Sequence, residues 1–248
     1  MDGFAERLEA RLHEVATPER AEGEKRYLKS DLTFLGATMW QIEQAVKELF
    51  AGQQPSHDEV VALADELWSV PVHERRMAAV MVLERCVDAL TADDLGLVER
   101  LVRDSKTWAL VDGLAGDVAG HLVQRDPETS APILDRWATD PDFWVRRASL
   151  LAELRPIRAG ALLDRFLARA DPMLDEREFF IRKAIGWVLR EAGKRHAAEV
   201  AAWLAPRTHR TSGVTIREAV KYLPPAIGER LMTAYREKRP ASAGDQAH

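Results

Sequence analysis

"EFFIRKAIGWVLRE", residues 178–191, decides what kind of chain this is. Ile181, Ala184, Ile185, Val188 and Ala192 fall on one stripe when successive residues are turned by about 100°. A strand would alternate apolar and polar residues, and this stretch does not. The spacing therefore predicts an amphipathic helix over 176–192. Its other flank gathers Phe180, Lys183, Trp187 and Arg190, with Trp187 roughly 130° from the centre of the stripe. Two readings of that flank stand. The indole packs against a neighbouring helix, or, set between two cations, it meets a nucleic-acid backbone or an aromatic ligand.

The same periodicity runs through the chain. Ala, Leu, Glu and Arg dominate, β-branched alternating runs are missing, and helical stretches recur between short breaks at Pro, Gly, Asp or Ser. Fourteen helices are predicted, at 3–15, 18–29, 38–51, 57–69, 72–90, 93–103, 107–124, 128–138, 142–154, 159–169, 176–192, 196–205, 214–223 and 226–238. "TPER" (17–20) and "TADD" (91–94) carry start signals, a Thr cap followed by Pro or by acids. Helical pairs repeating every ~30–40 residues suit an all-α superhelix of HEAT-like pairs. We expect one domain over residues 1–239 and a disordered tail over 240–248, "PASAGDQAH".

Composition bounds the function. The 248 residues are 46% hydrophobic and 30% charged, the balance of a folded globular chain. No apolar run reaches the ~18 residues that a membrane span needs, and the N-terminus lacks a signal peptide's apolar core. One cysteine, Cys86, excludes an internal disulfide framework. The expected setting is the cytoplasm, beside the nucleoid. The net charge of −5 conceals a skew, since residues 1–140 balance to −12 and residues 141–240 to +8. A polyanion would feel the basic half locally, because salt confines such fields to about 10 Å.

Two more constellations could carry chemistry. In "SKTWALVDGLAGDVAG" (105–120), Leu110, Val111, Leu114, Val118 and Leu122 form a core stripe. Trp108 and Asp112 are four apart and so stack on one flank. Ala115, Gly116 and Ala119 would continue that flank as a shallow recess, or else serve close helix packing. In "DFWVRRASLLAEL" (142–154), Trp144 fits a core pattern with Ala148 and Leu151, while Arg147 falls at the edge and Arg146 further out. These arginines suit phosphate contacts or salt bridges to Asp142 or Glu153. Motifs for zinc, dinucleotides, nucleoside triphosphates and serine hydrolysis are missing. We expect no metal and no cofactor.

"EKRYLKSDLTFLG" (24–36), "ELWSVPVHERRMAAV" (66–80), "KTWALVD" (106–112), "FWVRRASLL" (143–151) and "EFFIRKAIGWVLRE" together resemble the HEAT-like DNA alkylation repair family of DNA glycosylases. The likeness covers roughly residues 5–235, in the family's order. It implies a curved, C-shaped array cradling duplex DNA, and a monomeric enzyme of base excision repair that hydrolyses the N-glycosidic bond of N3- or N7-alkylated purines. The resemblance implies that the lesion is not drawn into a tight base-flipping pocket, so bulky adducts are admitted. Carried over by position, Asp112 is the catalytic carboxylate, Trp108 and Trp187 flank the lesion, and Arg147 grips a phosphate. Lys183, Arg190, Arg146 and Tyr27 complete the expected DNA contacts. Two departures stand out. Thr107 replaces the first residue of the family's paired tryptophans, and Trp40 stands in a helix that in the family tends to carry Pro and Arg. The competing reading is a non-catalytic scaffold that binds DNA or protein through a concave face, and the acidic first half favours it.

Overall fold

The computed structural model describes residues 3–237, so the expected tail over 240–248 lies outside the described residues. Among those residues the chain is helical, without a β-sheet; one parallel bridge joins Thr33 to Val72. The all-α reading holds. The contacts group into two compact units, Met1–Ile133 and Leu134–His248.

The first unit contains α1 (Phe4–Val15), α2 (Pro18–Leu28), α3 (Met39–Leu49), α4 (His57–Trp68), α5 (His73–Arg85), α6 (Leu95–Ser105), α7 (Trp108–Asp112) and α8 (Gly120–Arg125). Its axis is α5, which buries His73 through Val80 on every side. A polar first turn inside a core is tolerable only if each charged group finds a partner. Here the carboxylate and the guanidinium ends find long-range partners, whereas His73 Nδ1, Arg75 Nε and Arg76 Nε are left without a hydrogen bond among the described residues. The Glu74 carboxylate accepts the N–H groups of Leu35 (3.0 Å) and Gly36 (2.6 Å). Arg75 pairs with Glu9 at 2.5 Å, and Arg76 with Asp104 at 2.7 Å while lying over the Trp68 ring. "HERR" is thus the knot that ties the loops of this unit together.

Capping boxes start α3 (Thr38 with Gln41) and α4 (Ser56 with Glu59), and Thr91 makes the same reciprocal pair with Asp94. "TPER" is only half right. Pro18 opens α2, yet the Thr17 side chain makes no cap bond.

Between α7 and α8 the helix does not stop. Gly113–Ala119 forms a π-helix, with the Gly120 N–H reaching Ala115 O five residues back. Such segments are rare and concentrate at functional positions. Gly113 lets this helix close on α5, since a Cβ there would meet Val80 Cγ1 at 2.8 Å.

α9 (Pro127–Ala138) carries the boundary between the units. The second unit continues with α10 (Phe143–Leu151), α11 (Leu154–Arg158), α12 (Leu163–Ala170), α13 (Phe179–Ala192), α14 (Ala197–Leu204), α15 (Gly213–Ala219) and α16 (Pro225–Glu237). The stretch expected as one helix over 142–154 ends at Leu151. Pro156 cannot donate to Ala152 and crowds its carbonyl, so a separate short helix follows. The helix expected from 159 begins at Leu163, after Gly160 (φ 91°) and Leu162 (φ 61°) turn the chain through left-handed conformations. The predicted stripe of α13 is buried in full: Ile181, Ala184, Ile185, Val188 and Ala192 are each 1% exposed or less.

Candidate active site

Asp112 and Trp108 sit one helical turn apart on α7, both half-buried. Leu110, Val111, Leu114, Val118 and Leu122 fix the helix from below, all of them fully buried. Trp108 is held from the side as well. Its ring meets Tyr27 edge-on, with centroids 5.8 Å apart and planes at 85°, a favoured aromatic geometry. Tyr27 itself is 71% exposed. The first unit therefore brings together three predicted residues: an indole, a phenol and a carboxylate.

Of the two readings of the small residues, close helix packing holds: Ala115 and Ala119 are fully buried, and only Gly116 remains half-exposed. The cause is the π-helix, which holds one residue more per hydrogen-bonded turn and rotates later residues off the α-helical wheel. Thr107, in place of the family's first tryptophan, is 1% exposed and caps α7 through its backbone only.

The second unit holds the remaining candidates. Arg147 does not lie at the edge of its helix but is 3% exposed. Its Nη1 donates to Phe180 O at 2.5 Å, and its guanidinium lies 5.8 Å from the Phe180 ring centroid. Arg146 forks onto both oxygens of Glu176 (2.8 and 2.9 Å) and also donates to Asp140 O. Neither of the expected partners serves them as a salt bridge. Asp142 caps α10 by accepting the Trp144 N–H at 2.8 Å. Glu153 is buried against Arg169 at 2.6 Å, and burial still pushes its carboxyl up to about 7. Trp144 is not a core residue. It is half-buried in an aromatic cluster, 4.7 Å from the Phe180 centroid and 4.4 Å from that of Phe143.

The flank of α13 carrying Trp187 turns out to face α15. Gly186 permits the approach, because a Cβ there would lie 2.8 Å from Glu218 Cβ and 3.0 Å from Thr215 O. Glu218 then receives Lys183 Nζ at 2.7 Å, Arg190 Nη1 at 2.7 Å and Lys221 Nζ at 2.8 Å. Trp187 remains half-buried beside this cluster. A helix packs against this flank, while its cations stay partly exposed. Nothing in the local sequence marks Glu218, which lies 35 residues from Lys183.

Burial pushes the Glu218 carboxyl up, but its hydrogen bonds and charge pairing with Lys183 and Lys221 outweigh this and hold it down at about 2, against an ordinary 4.5. A carboxylate with a depressed folded value stabilises the fold above its unfolded pKa and loses that contribution as pH falls toward the folded one. The network should therefore contribute about 3 kcal/mol above pH 4.5 and nothing near pH 2. Thermal unfolding of Glu218→Gln should show a deficit at pH 6 that closes on acidification. A deficit that persists unchanged at pH 2 would assign the loss to packing instead.

Among the described residues no cluster of His, Cys, Asp and Glu could hold a metal ion, and no helix is long and apolar enough to cross a membrane.

A helical-repeat chain with indole and carboxylate on one helical turn, and with buried and paired arginines in its second unit, matches a known class. Residues 8–223 match the family model described as "DNA alkylation repair enzyme", and the chain belongs to that family. Among solved structures it is similar to a predicted DNA alkylation repair enzyme from Enterococcus faecalis, with TM-score 0.75 and 22% identity over 85% of this chain and 97% of that one. It is also similar to AlkD2 from Streptococcus mutans, with TM-score 0.59 and 18% identity over 82% of this chain and 99% of that one. At these identities the likeness concerns the fold. No curated protein matches the chain.

Proposed function

We propose that the chain is a DNA glycosylase that hydrolyses the N-glycosidic bond of N3- or N7-alkylated purines in duplex DNA, acting as a monomer. The observation that carries this reading is the partly exposed Asp112 carboxylate one turn from a partly exposed Trp108, in a member of a DNA alkylation repair family. The chemistry asks little of the protein. Alkylation at N3 or N7 makes the purine cationic, so it departs as a neutral base and needs no general acid. The barrier left is an oxocarbenium-like sugar, which a carboxylate stabilises directly. Asp112 faces that developing charge and orients the attacking water. The Trp108 ring, fixed by Tyr27, excludes bulk water and offers its face to the cation. Trp187 is proposed as a second indole for the sugar, and Arg147 as the phosphate grip.

Arg147 supports the grip only in a restricted sense. Its Nη1 is already engaged by Phe180 O, so a phosphate would meet a guanidinium fixed in orientation, which loses little entropy on binding. Because no deep pocket is invoked, bulky adducts fall within the proposed range.

The test incubates the protein with duplexes bearing defined N3- and N7-alkylpurines and identifies released bases by mass spectrometry. Release from these duplexes and not from unmodified DNA is expected. Tight DNA binding with no release from any adduct would replace this reading with the scaffold reading.

A further inference from the structure

The charge skew of the sequence points a polyanion toward the second unit, but the structure redistributes that expectation. Many cations of that unit are already ion-paired: Arg146 with Glu176, Lys183 and Arg190 with Glu218, and Arg207 and Arg210 with Asp171. The first unit, acidic in total, does the reverse at one place. Lys25, Arg26 and Lys29 at the end of α2 are exposed, as is Lys106 immediately before Thr107 and Trp108. Among the described residues no ion pair engages any of the four.

In sequence these cations flank the two rings of the aromatic contact already described. Tyr27 lies between Arg26 and Lys29 in sequence, and Lys106 is two residues from its partner Trp108. α2 has no fully buried residue, so its last turn presents charge rather than filling the core. Lys29 (φ 49°) and Lys106 (φ 50°) are both in the left-handed region, where a lysine costs roughly 1 kcal/mol that glycine would avoid. At both termini the strained position carries a cation.

We infer that Lys25, Arg26, Lys29 and Lys106 form a docking point for the phosphodiester backbone of duplex DNA on the first unit, beside Tyr27 and Trp108. This rests on the proposed function and gives the acidic half its own hold on the substrate. Four cations with no internal partner meet the chemical need of a phosphate backbone, since each contact formed releases a condensed counterion. Lys25 and Arg26 also complement the α2 macrodipole, a role that requires no ligand.

The experiment measures binding of an unmodified fluorescent duplex by anisotropy across a salt series. It compares the wild type with Lys25→Ala/Arg26→Ala/Lys29→Ala and with Lys106→Ala. Lys47→Ala/Arg85→Ala, which removes two cations from a separate cleft lined by Glu43 and Glu84, is the control, and circular dichroism checks each fold. The triple variant should lower the slope of log K against log salt by about 2 to 3, and Lys106→Ala by about 1. The control should keep the wild-type slope. Unchanged slopes in the triple variant, with wild-type binding and base release intact, would overturn the docking point alone. An equal drop in the control would reduce it to net charge. A wild type that neither binds duplex nor releases base would overturn both it and the proposed function.

Discussion

Asp112→Asn is expected to lower release of alkylated purines by about two to three orders of magnitude while leaving the affinity for duplex DNA unchanged or slightly higher. The amide keeps the size and the helical position of the side chain but removes the charge. Loss of one preorganised electrostatic group at a transition state costs about 10²–10³ in rate, or some 3–4 kcal/mol. Ground-state binding does not share that cost, because a carboxylate repels the phosphates around it. Single-turnover release together with anisotropy on the same protein separates the two effects. Equal losses in both would make Asp112 a binding or folding residue, and full activity would remove it from the chemistry.

The largest effect on stability is expected at Gly36. Its φ of 92° lies where side chains are strained, and an added Cβ would sit 2.1 Å from Thr17 O and 2.8 Å from Ala21 N. Both obstacles are backbone at the start of α2, so no side chain can swing aside. The same glycine donates its N–H to the buried Glu74 carboxylate. Relief by movement would therefore break a charge-assisted bond inside the core. Gly36→Ala should cost at least about 3 kcal/mol, lowering the unfolding midpoint of the first unit by about 6–12 °C. Because α2 carries Tyr27, the variant should also weaken Trp108-dependent activity below the melting range. A midpoint within a degree or two of wild type would show that the loop yields without Glu74.

Much of this molecule was legible in its spacing. The α13 stripe and the α7 core residues were readable because a helix buries one face at a fixed period, and no distant partner is needed to say which. Failures share a different cause. The wheel does not separate a recess from close packing at Ala115 and Ala119, because one wide turn breaks the period that it assumes. Arg147 was placed at an edge because the ring and carbonyl of Phe180 that cover it are 33 residues away. Glu218, Glu176 and Glu74 organise the cations and loops of their units, yet each acts over a separation that no local pattern encodes. The candidate residues could be named from sequence; which of their charges are already spent could not.

The π-helix after Asp112 bears on how this protein can change. Each turn of that segment contains about one residue more than an α-turn, so the chain length between Asp112 and α8 is itself a structural variable. Removing a single residue at Gly116, where a Cβ would meet nothing within 4 Å, leaves a chain that can close as uninterrupted α-helix. Over its seven residues the segment lags an α-helix by about one residue's rotation, so Trp108 and Asp112 would keep nearly their present direction against Leu122 and Val123. The wide turn has absorbed one residue without turning the reactive pair away from the apolar face. At this site the chain can shed a residue, an edit that would swing one half of an uninterrupted α-helix by about 100° against the other.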